Sequence, residues 1–255
     1  MPSADFDSVA DLYESARPTY PAELFDDLVQ LAALQPGDRL LEIGCATGKA
    51  TRPLLERGFS IVCVELGPRL AERARENLAG LAVDVHVTRF ETWDGQGQTF
   101  DLVYAATAWH WIGPDVRYRK AHSLLRPAGH LAFWSADHAF PEGFDPFFAE
   151  IQDVYDAIGE SWPGRWPPPE DVPDASEEIE ASGLFGDVAV RRYLWERWYT
   201  AEEYVALLST FSGHIAMEPD KRDHLFREVR ERIARRPEAH VRRHWRAILH
   251  VTRRA

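Results

Sequence analysis

Over its first 135 residues this chain alternates short apolar runs of strand length with helical patterns, and that alternation constrains its fold more than any other feature. Arg39–Ile43 (RLLEI), Ser60–Glu65 (SIVCVE), Val83–Thr88 (VDVHVT), Phe100–Ala106 (FDLVYAA) and His130–Trp134 (HLAFW) are rich in branched and aromatic residues. Runs of that length bounded by turn residues read as strands. Between them, Pro21–Leu34 sets Leu24, Phe25, Leu28, Leu31 and Ala32 on one helical face. Pro68–Leu78 does the same with Leu70, Ala71, Ala74 and Leu78, and Asp115–Leu125 repeats it before Pro127 and Gly129. Proline near a helix start fits, because the first turn has no use for its missing N–H. Strands that alternate with helices make parallel pairs joined by crossovers. The expected fold is therefore α/β, with a doubly wound, mostly parallel seven-stranded sheet. Its last strand is antiparallel, and helical lid segments are inserted.

After Trp134 the rhythm breaks. Residues 137–173 are rich in Pro, Gly and aromatics (PEGFDPFFAE, SWPGRWPPPED), which excludes a central strand. A helix near Asp145–Ile158 and then an irregular loop are expected. Gly186–Trp195 reads as a strand, Thr200–Thr210 as a helix capped by its threonine, Leu225–Ile233 as a helix and His244–Thr252 as a final strand. This predicts a ligand-binding core with N-terminal helices over 1–135 and an inserted cap or lid over 136–182. Residues 183–255 would return the remaining strands and substrate-side helices to the same domain.

Composition narrows the function. With 45% hydrophobic residues, nine Trp and thirteen Phe the chain can bury a substantial core, and disorder is excluded as its main state. No run approaches the roughly 20 apolar residues of a membrane span. The opening MPSADFDSVADLYESARP is acidic and lacks an apolar core, so no signal peptide is expected. Cys45 and Cys63 read as reduced, buried thiols of a cytoplasmic protein. The net charge of −12 argues against nucleic acid as a partner. Residues 1–200 carry 17 basic and 33 acidic side chains, whereas 201–255 carry 12 and 8. The mildly basic tail reads as the solvated face of helices. A small-molecule substrate, no membrane, and a monomer or homodimer are expected.

The most specific stretch is LLEIGCATGKAT, Leu40 to Thr51: a strand ends at Gly44, a loop of small residues follows, and a helix begins. In open α/β sheets the ligand lies beyond the carboxyl ends of the strands, and a following helix offers free N–H groups. A phosphate-binding P-loop needs four residues between its glycines and Ser or Thr after the lysine. Here three residues intervene and Ala50 follows Lys49. The dinucleotide fingerprint fails because Ala46 stands at its second glycine. Glu65 closes the second strand 21 residues after Gly44, where a carboxylate can accept both hydroxyls of a ribose.

The run Glu42-Ile43-Gly44-Cys45-Ala46-Thr47-Gly48 resembles the E/D-x-G-x-G-x-G loop of class I S-adenosylmethionine-dependent methyltransferases, with Ala46 replacing the middle glycine. Tyr13-x3-Arg17-Pro18-x-Tyr20-Pro21, Phe90-Glu91-Thr92-Trp93 and His110-Trp111 resemble the small-molecule (type 11, trans-aconitate methyltransferase-like) subgroup. The resemblance covers residues 6–135 well and 183–210 more weakly. It implies S-adenosylmethionine as cofactor and S-adenosylhomocysteine as product. It implies that Tyr13 and Arg17 lie on a helix closing over the cofactor, and that Gly44, Cys45, Ala46 and Gly48 form its cradle. Glu65 would take the ribose, Leu66 would pack on the adenine, and Phe90 would offer backbone to the adenine edge. Arg89 stands where relatives often carry an acid, so Glu91 is the candidate for the adenine amino group. Ala105 and Ala106 would leave room for the methyl.

His110 follows the strand whose end faces the methyl, so it is the candidate general base, or else part of the pocket wall. Tyr20, Trp109, Trp111 and Trp166 are candidate acceptor contacts, with Trp162, Trp195 and Trp198 as further pocket or core tryptophans. His240 and His244 have a spacing that binds metal on a helix, but no further ligand completes a site and no metal is expected. Methyl transfer to a small molecule, with oxygen and in particular a carboxylate favoured as acceptor, is the leading reading. An RNA or protein methyltransferase, and a protein that binds the cofactor without transferring methyl, are the alternatives.

Overall fold

The computed structural model describes residues 6–161 and 166–255, so Trp162 lies outside the described residues. In chain order, α1 (Ala10–Ala16) and α2 (Ala22–Leu31) lead into β1 (Arg39–Ile43), α3 (Thr51–Leu55), β2 (Ser60–Glu65), α4 (Pro68–Asn77), β3 (Val83–Val87) and β4 (Phe100–Ala106). Then come α5 (Pro114–Leu124), β5 (Leu125–Trp134), β6 (Asp137–Ala139), α6 (Phe147–Glu150), α7 (Gln152–Ala157) and α8 (Ser176–Ala181). The chain ends with β7 (Phe185–Thr200), α9 (Ala201–Leu208), α10 (Ser212–Ala216), α11 (Pro219–Ala234) and β8 (His240–Arg254).

The sheet has eight strands in the order β3-β2-β1-β4-β5-β8-β6, with β7 also paired to β8. β1 is parallel to β2 and β4, β2 to β3, and β4 to β5, while β8 runs antiparallel to β5. The doubly wound, mostly parallel sheet expected from the alternation is thus present. The strand beyond the expected seven is β6, whose three residues are too few to leave a periodic pattern. The sheet starts at β1, winds outward to β3 and restarts at β4. The switch point therefore lies between β1 and β4, where crevices for ligands form.

The structure divides the chain into two interleaved units. One comprises Thr19–Asp137, Pro173–Tyr193 and Ala247–Ala255, and the other Met1–Pro18, His138–Val172 and Leu194–Arg246. We call them the sheet unit and the helical unit. Residues 6–18 group with the helical unit and 173–193 with the sheet unit.

In the sheet unit, β1 and β4 are buried along almost their whole length, as central parallel strands covered on both faces must be. Leu41, Val62, Phe100, Val103, Leu125 and Leu131 form the middle of its core. A second aromatic layer stacks Tyr104 on Trp134 at 5.8 Å, with Phe25 edge-on to Trp134 at 6.0 Å. The prolines Pro68 and Pro114 occupy the first turns of α4 and α5, as their φ angle favours.

In the helical unit, α9 begins at a complete capping box: Thr200 accepts from the Glu203 amide, and the Glu203 carboxylate accepts from the Thr200 amide. The helix packs against α1 and α11. Phe147, Phe148 and Tyr204 meet edge to face at 5.4–5.9 Å. Buried Asp145 ties the unit together by accepting two bonds from the Arg236 Nη2 and one from the Arg242 amide.

Candidate active site

The site grows from the end of β1. Gly44 sits at φ +70°, and a Cβ there would lie 2.6 Å from the Ala108 Cβ, so only glycine fits. Its N–H donates to the Val64 carbonyl at 2.8 Å, which fixes the loop to β2. Ala46 adopts φ +48°, the left-handed conformation that the absent glycine would take freely, and its N–H donates to the Glu65 Oε2 at 2.8 Å. Gly48 closes the loop at φ +89°, with its N–H on the Cys45 carbonyl. A Cβ at Gly48 would press on the Leu78 side chain at 2.9 Å.

Glu65 is buried, and its carboxylate joins two loops: Oε2 holds the Ala46 amide and Oε1 the Gly67 amide, each at 2.8 Å. Two backbone donors fix its rotamer, which pre-positions the remaining lone pairs of the carboxylate. Next to this buried acid, Leu66 is 49% exposed. An apolar side chain held in solvent beside a fixed carboxylate is what a ring-plus-ribose ligand needs.

Below the loop lies Glu42, wholly buried. Its Oε2 accepts from the Thr51 hydroxyl at 2.6 Å and the Tyr104 hydroxyl at 2.7 Å, while Oε1 has no partner. Burial, opposed by these two bonds, pushes its pKa up to about 7. Cys45 and Cys63 are both free and buried, and burial and mutual contact push the Cys45 thiol well up, so both are protonated packing groups.

At the end of β4, Ala105 is buried in the core and Ala106 is half-buried. Thr107 follows at φ +57°, an unusual conformation for a β-branched residue. Its hydroxyl bonds the Tyr20 hydroxyl at 2.8 Å and accepts from the Ala136 amide at 3.1 Å. Strain of this kind gathers where a backbone is held for function. Thr107 was missed in the sequence, where only the small-residue run Ala105-Ala106-Thr107-Ala108 hints at it.

The 3₁₀ turn Trp109–Trp111 presents His110 outward, with its ring 4.8 Å from that of Trp111. Desolvation and the Arg117 charge lower the His110 pKa, and the Asp137 carboxylate opposes them, so the imidazole is neutral at pH 7. Asp137 is oriented by the Ser135 hydroxyl at 2.5 Å. It is an acidic neighbour that sequence separation hid. Trp111 is 45% exposed. Trp109 is a correction: it is buried, stacks on Phe133 at 5.0 Å and meets Tyr118 edge-on at 5.3 Å, so it belongs to the core and cannot be an acceptor contact.

Phe90 is buried under a turn in which the Arg89 carbonyl accepts from the Thr92 and Trp93 amides. Arg89 is exposed and Glu91 half-buried, with the Glu91 carbonyl accepting from the Lys120 Nζ. Tyr13, Arg17 and Trp166 fall in the helical unit. Tyr13 lies on α1 and Arg17 caps its end, donating to the Thr210 hydroxyl at 2.8 Å and carbonyl at 2.7 Å. Trp166 stacks on Phe140 at 4.5 Å. Trp195 stacks on Trp245, and Trp198 is exposed beneath Arg242. His240 and His244 lie on β8, not on a helix, and His244 pairs with Glu196 at 3.3 Å. Among the described residues no group of three metal-ligating side chains occurs, and no helix is long and apolar enough to cross a membrane.

A family profile described as a methyltransferase domain matches residues 40–129, which span the loop, Glu65 and β4. The chain is a class I S-adenosylmethionine-dependent methyltransferase. An uncharacterised methyltransferase of Mycobacterium tuberculosis is 26% identical to it over 236 residues, covering 92% of this chain and 88% of that protein. Among solved structures, a protein assigned as a type II methyltransferase from Anaeromyxobacter dehalogenans shares the fold of this methyltransferase. Its TM-score is 0.64 at 20% identity, covering 93% of this chain and 97% of that one. The phosphoethanolamine N-methyltransferase 2 of Haemonchus contortus, solved with S-adenosyl-L-methionine, also shares it. There the TM-score is 0.56 at 14% identity, covering 97% of this chain and 57% of that one.

Proposed function

We propose that this methyltransferase moves a methyl group from S-adenosylmethionine to a small-molecule acceptor, with a carboxylate oxygen as the favoured nucleophile. The reading is carried by one arrangement: a loop too tight for any side chain at Gly44, joined through its Ala46 amide to a buried, doubly anchored Glu65, with Leu66 exposed beside it. These residues suit a nucleoside sulfonium: Glu65 for the ribose hydroxyls, Leu66 for the adenine face, and the 44–48 backbone for the methionine end. When bound, the cofactor supplies an electrophilic methyl on a positively charged sulfur.

The protein's part is then mainly placement and exclusion of water. Thr107 and Tyr20 fix the backbone at the end of β4, and Ala106 leaves space next to it. His110, neutral at pH 7, is available to accept a proton from an acceptor hydroxyl or amine, whereas a carboxylate needs no base. A net charge of −12 with three lysines in the whole chain favours a small molecule over RNA, which requires a broad basic face. Monomeric or dimeric, the enzyme would work in the cytoplasm.

Calorimetry tests the reading. Both S-adenosylmethionine and S-adenosylhomocysteine should bind at micromolar concentration. Glu65→Ala should weaken binding by about 1–3 kcal/mol, the cost of leaving buried donors unpaired. Glu65→Gln keeps an acceptor and should fall between the two. Absence of heat with either ligand, or an Ala variant that binds normally, would refute it.

A further inference from the structure

In the helical unit several cations have an acid: Arg236 pairs with Asp145, Arg232 with Asp153, Arg230 with Glu202, and Arg242 with Glu196. Arg243 does not. It is only 6% exposed on β8, and among the described residues no carboxylate lies within ion-pair distance of it. Of its five N–H donors, one is used, from Nη1 to the Tyr204 hydroxyl at 3.1 Å. Its Nε is buried with no hydrogen-bond partner. The guanidinium instead lies 4.3 Å from the centroid of the Trp245 ring and 5.2 Å from that of Phe211. Burial of a cation without a counter-charge is strongly unfavourable, and aromatic faces compensate only in part.

Other buried polar atoms in this unit lack a hydrogen-bond partner among the described residues, among them Nδ1 of His214 and Nε2 of His138. The His214 ring is 6.2 Å from Phe211, and its Nε2 meets the Tyr155 hydroxyl at 3.0 Å. The His138 ring lies 4.3 Å from Phe148, which leans on Tyr204. Burial and the charge of Arg243 lower the pKa of both imidazoles, that of His214 to about 4, so neither adds charge at pH 7. Arg17 stands 4.2 Å from the same Phe211 ring, with Nε and Nη2 engaged by Thr210. Among the described residues no carboxylate pairs with Arg243, which keeps spare donors beside these rings.

We propose that this cluster is a binding site for a small organic carboxylate, anchored by the guanidinium of Arg243 and walled by Trp245 and Phe211. A planar two-oxygen anion matches one guanidinium edge, whereas a phosphate gripped by the same edge would leave its further charged oxygens against the Trp245 and Phe211 rings. The flat rings suit an acid with an apolar body. This site does not rest on the function proposed above.

The test uses the full chain with benzoate and hexanoate as probes, benzamide as the neutral analogue of benzoate, and inorganic phosphate. Either carboxylate at tens of millimolar should raise the melting temperature of the wild type, and benzamide and phosphate should not. Arg243→Met should weaken carboxylate binding at least 10-fold in calorimetric titration, and Arg243→Lys should retain part of it. Arg243→Met should melt no lower than the wild type, because it removes an unbalanced buried charge. Its affinity for S-adenosylmethionine should be unchanged, so failure of the cofactor site and failure of this one are read separately. The proposal is overturned by a carboxylate response that survives Arg243→Met, by an equal response to benzamide or phosphate, or by no response to either acid in the wild type.

Discussion

Glu42 makes the stability of this enzyme depend on pH in an unusual direction. Its carboxyl is wholly buried, both hydroxyl donors act on Oε2, and Oε1 has no partner. Its pKa is raised from 4.5 to about 7 on folding. Because the folded state holds the proton more tightly than the unfolded chain, the neutral form is favoured by folding and the ionised form opposes it. Stability from this group is therefore present at low pH. It declines as pH rises from about 4.5 to about 7, then levels off. Between pH 5 and pH 8 this gives a loss of about 2–3 kcal/mol. Glu42→Gln keeps an acceptor for Thr51 and Tyr104 and cannot ionise. Urea denaturation of both proteins at pH 5, 6, 7 and 8 isolates the effect, since every other titrating group cancels in the difference. The stability of the wild type relative to the variant should fall by about 2–3 kcal/mol over that range. A difference that stays flat to within about 0.5 kcal/mol, near the error of the extrapolation, would show that Glu42 does not titrate there.

Three further outcomes are expected. Gly44→Ala should destabilise the chain by about 1–3 kcal/mol, from a Cβ placed against Ala108 and a strained φ, and should abolish cofactor binding. Adding Ala108→Gly should recover only the steric part, and full recovery would show that φ is unimportant. Trp109→Ala should cost about 3–5 kcal/mol in urea denaturation, as loss of a core ring does, whereas Trp111→Ala should stay within about 0.5 kcal/mol. Equal losses would contradict the assignment of one to the core and the other to the surface. His110→Ala should raise the KM for a carboxylate acceptor with kcat nearly unchanged. A fall in kcat of about 100-fold with cofactor affinity intact would instead make His110 the base.

The sheet was legible because its strands carry dense local information. β1, β2 and β4 begin and end where the apolar runs do, since strands buried on both faces are dominated by apolar residues. The Gly44 loop and Glu65 were legible for a related reason: a glycine without room for a Cβ and an acid at a fixed distance leave few alternatives. β7 and β8 extend beyond the expected Gly186–Trp195 and His244–Thr252, because their outer residues include Glu196, Arg197, Arg242 and Arg253, which interrupt the alternation. Trp109 misled because an aromatic after a site-facing strand looks the same in sequence whether it points into the core or out of it. Only the 3₁₀ turn separates it from Trp111. Thr107, Asp137 and Arg243 were invisible because their importance lies in a dihedral angle, a distant neighbour and an absent counter-charge.

Charge imposes one more restriction on the acceptor. A carboxylate oxygen attacks through a lone pair, and a guanidinium bonded to that oxygen withdraws the electron density it needs. The ion pair also stabilises the anion in the ground state, which raises the barrier to its neutralisation. An acid anchored on Arg243 is for that reason a poor nucleophile at the anchored group. A carboxylate oxygen free of such an ion pair needs no base, in keeping with the exposed position of His110. A neutral hydroxyl or amine would need the lowered pKa of His110 to take its proton near pH 7. The demand on His110 is thus set by the chemistry of the reacting group.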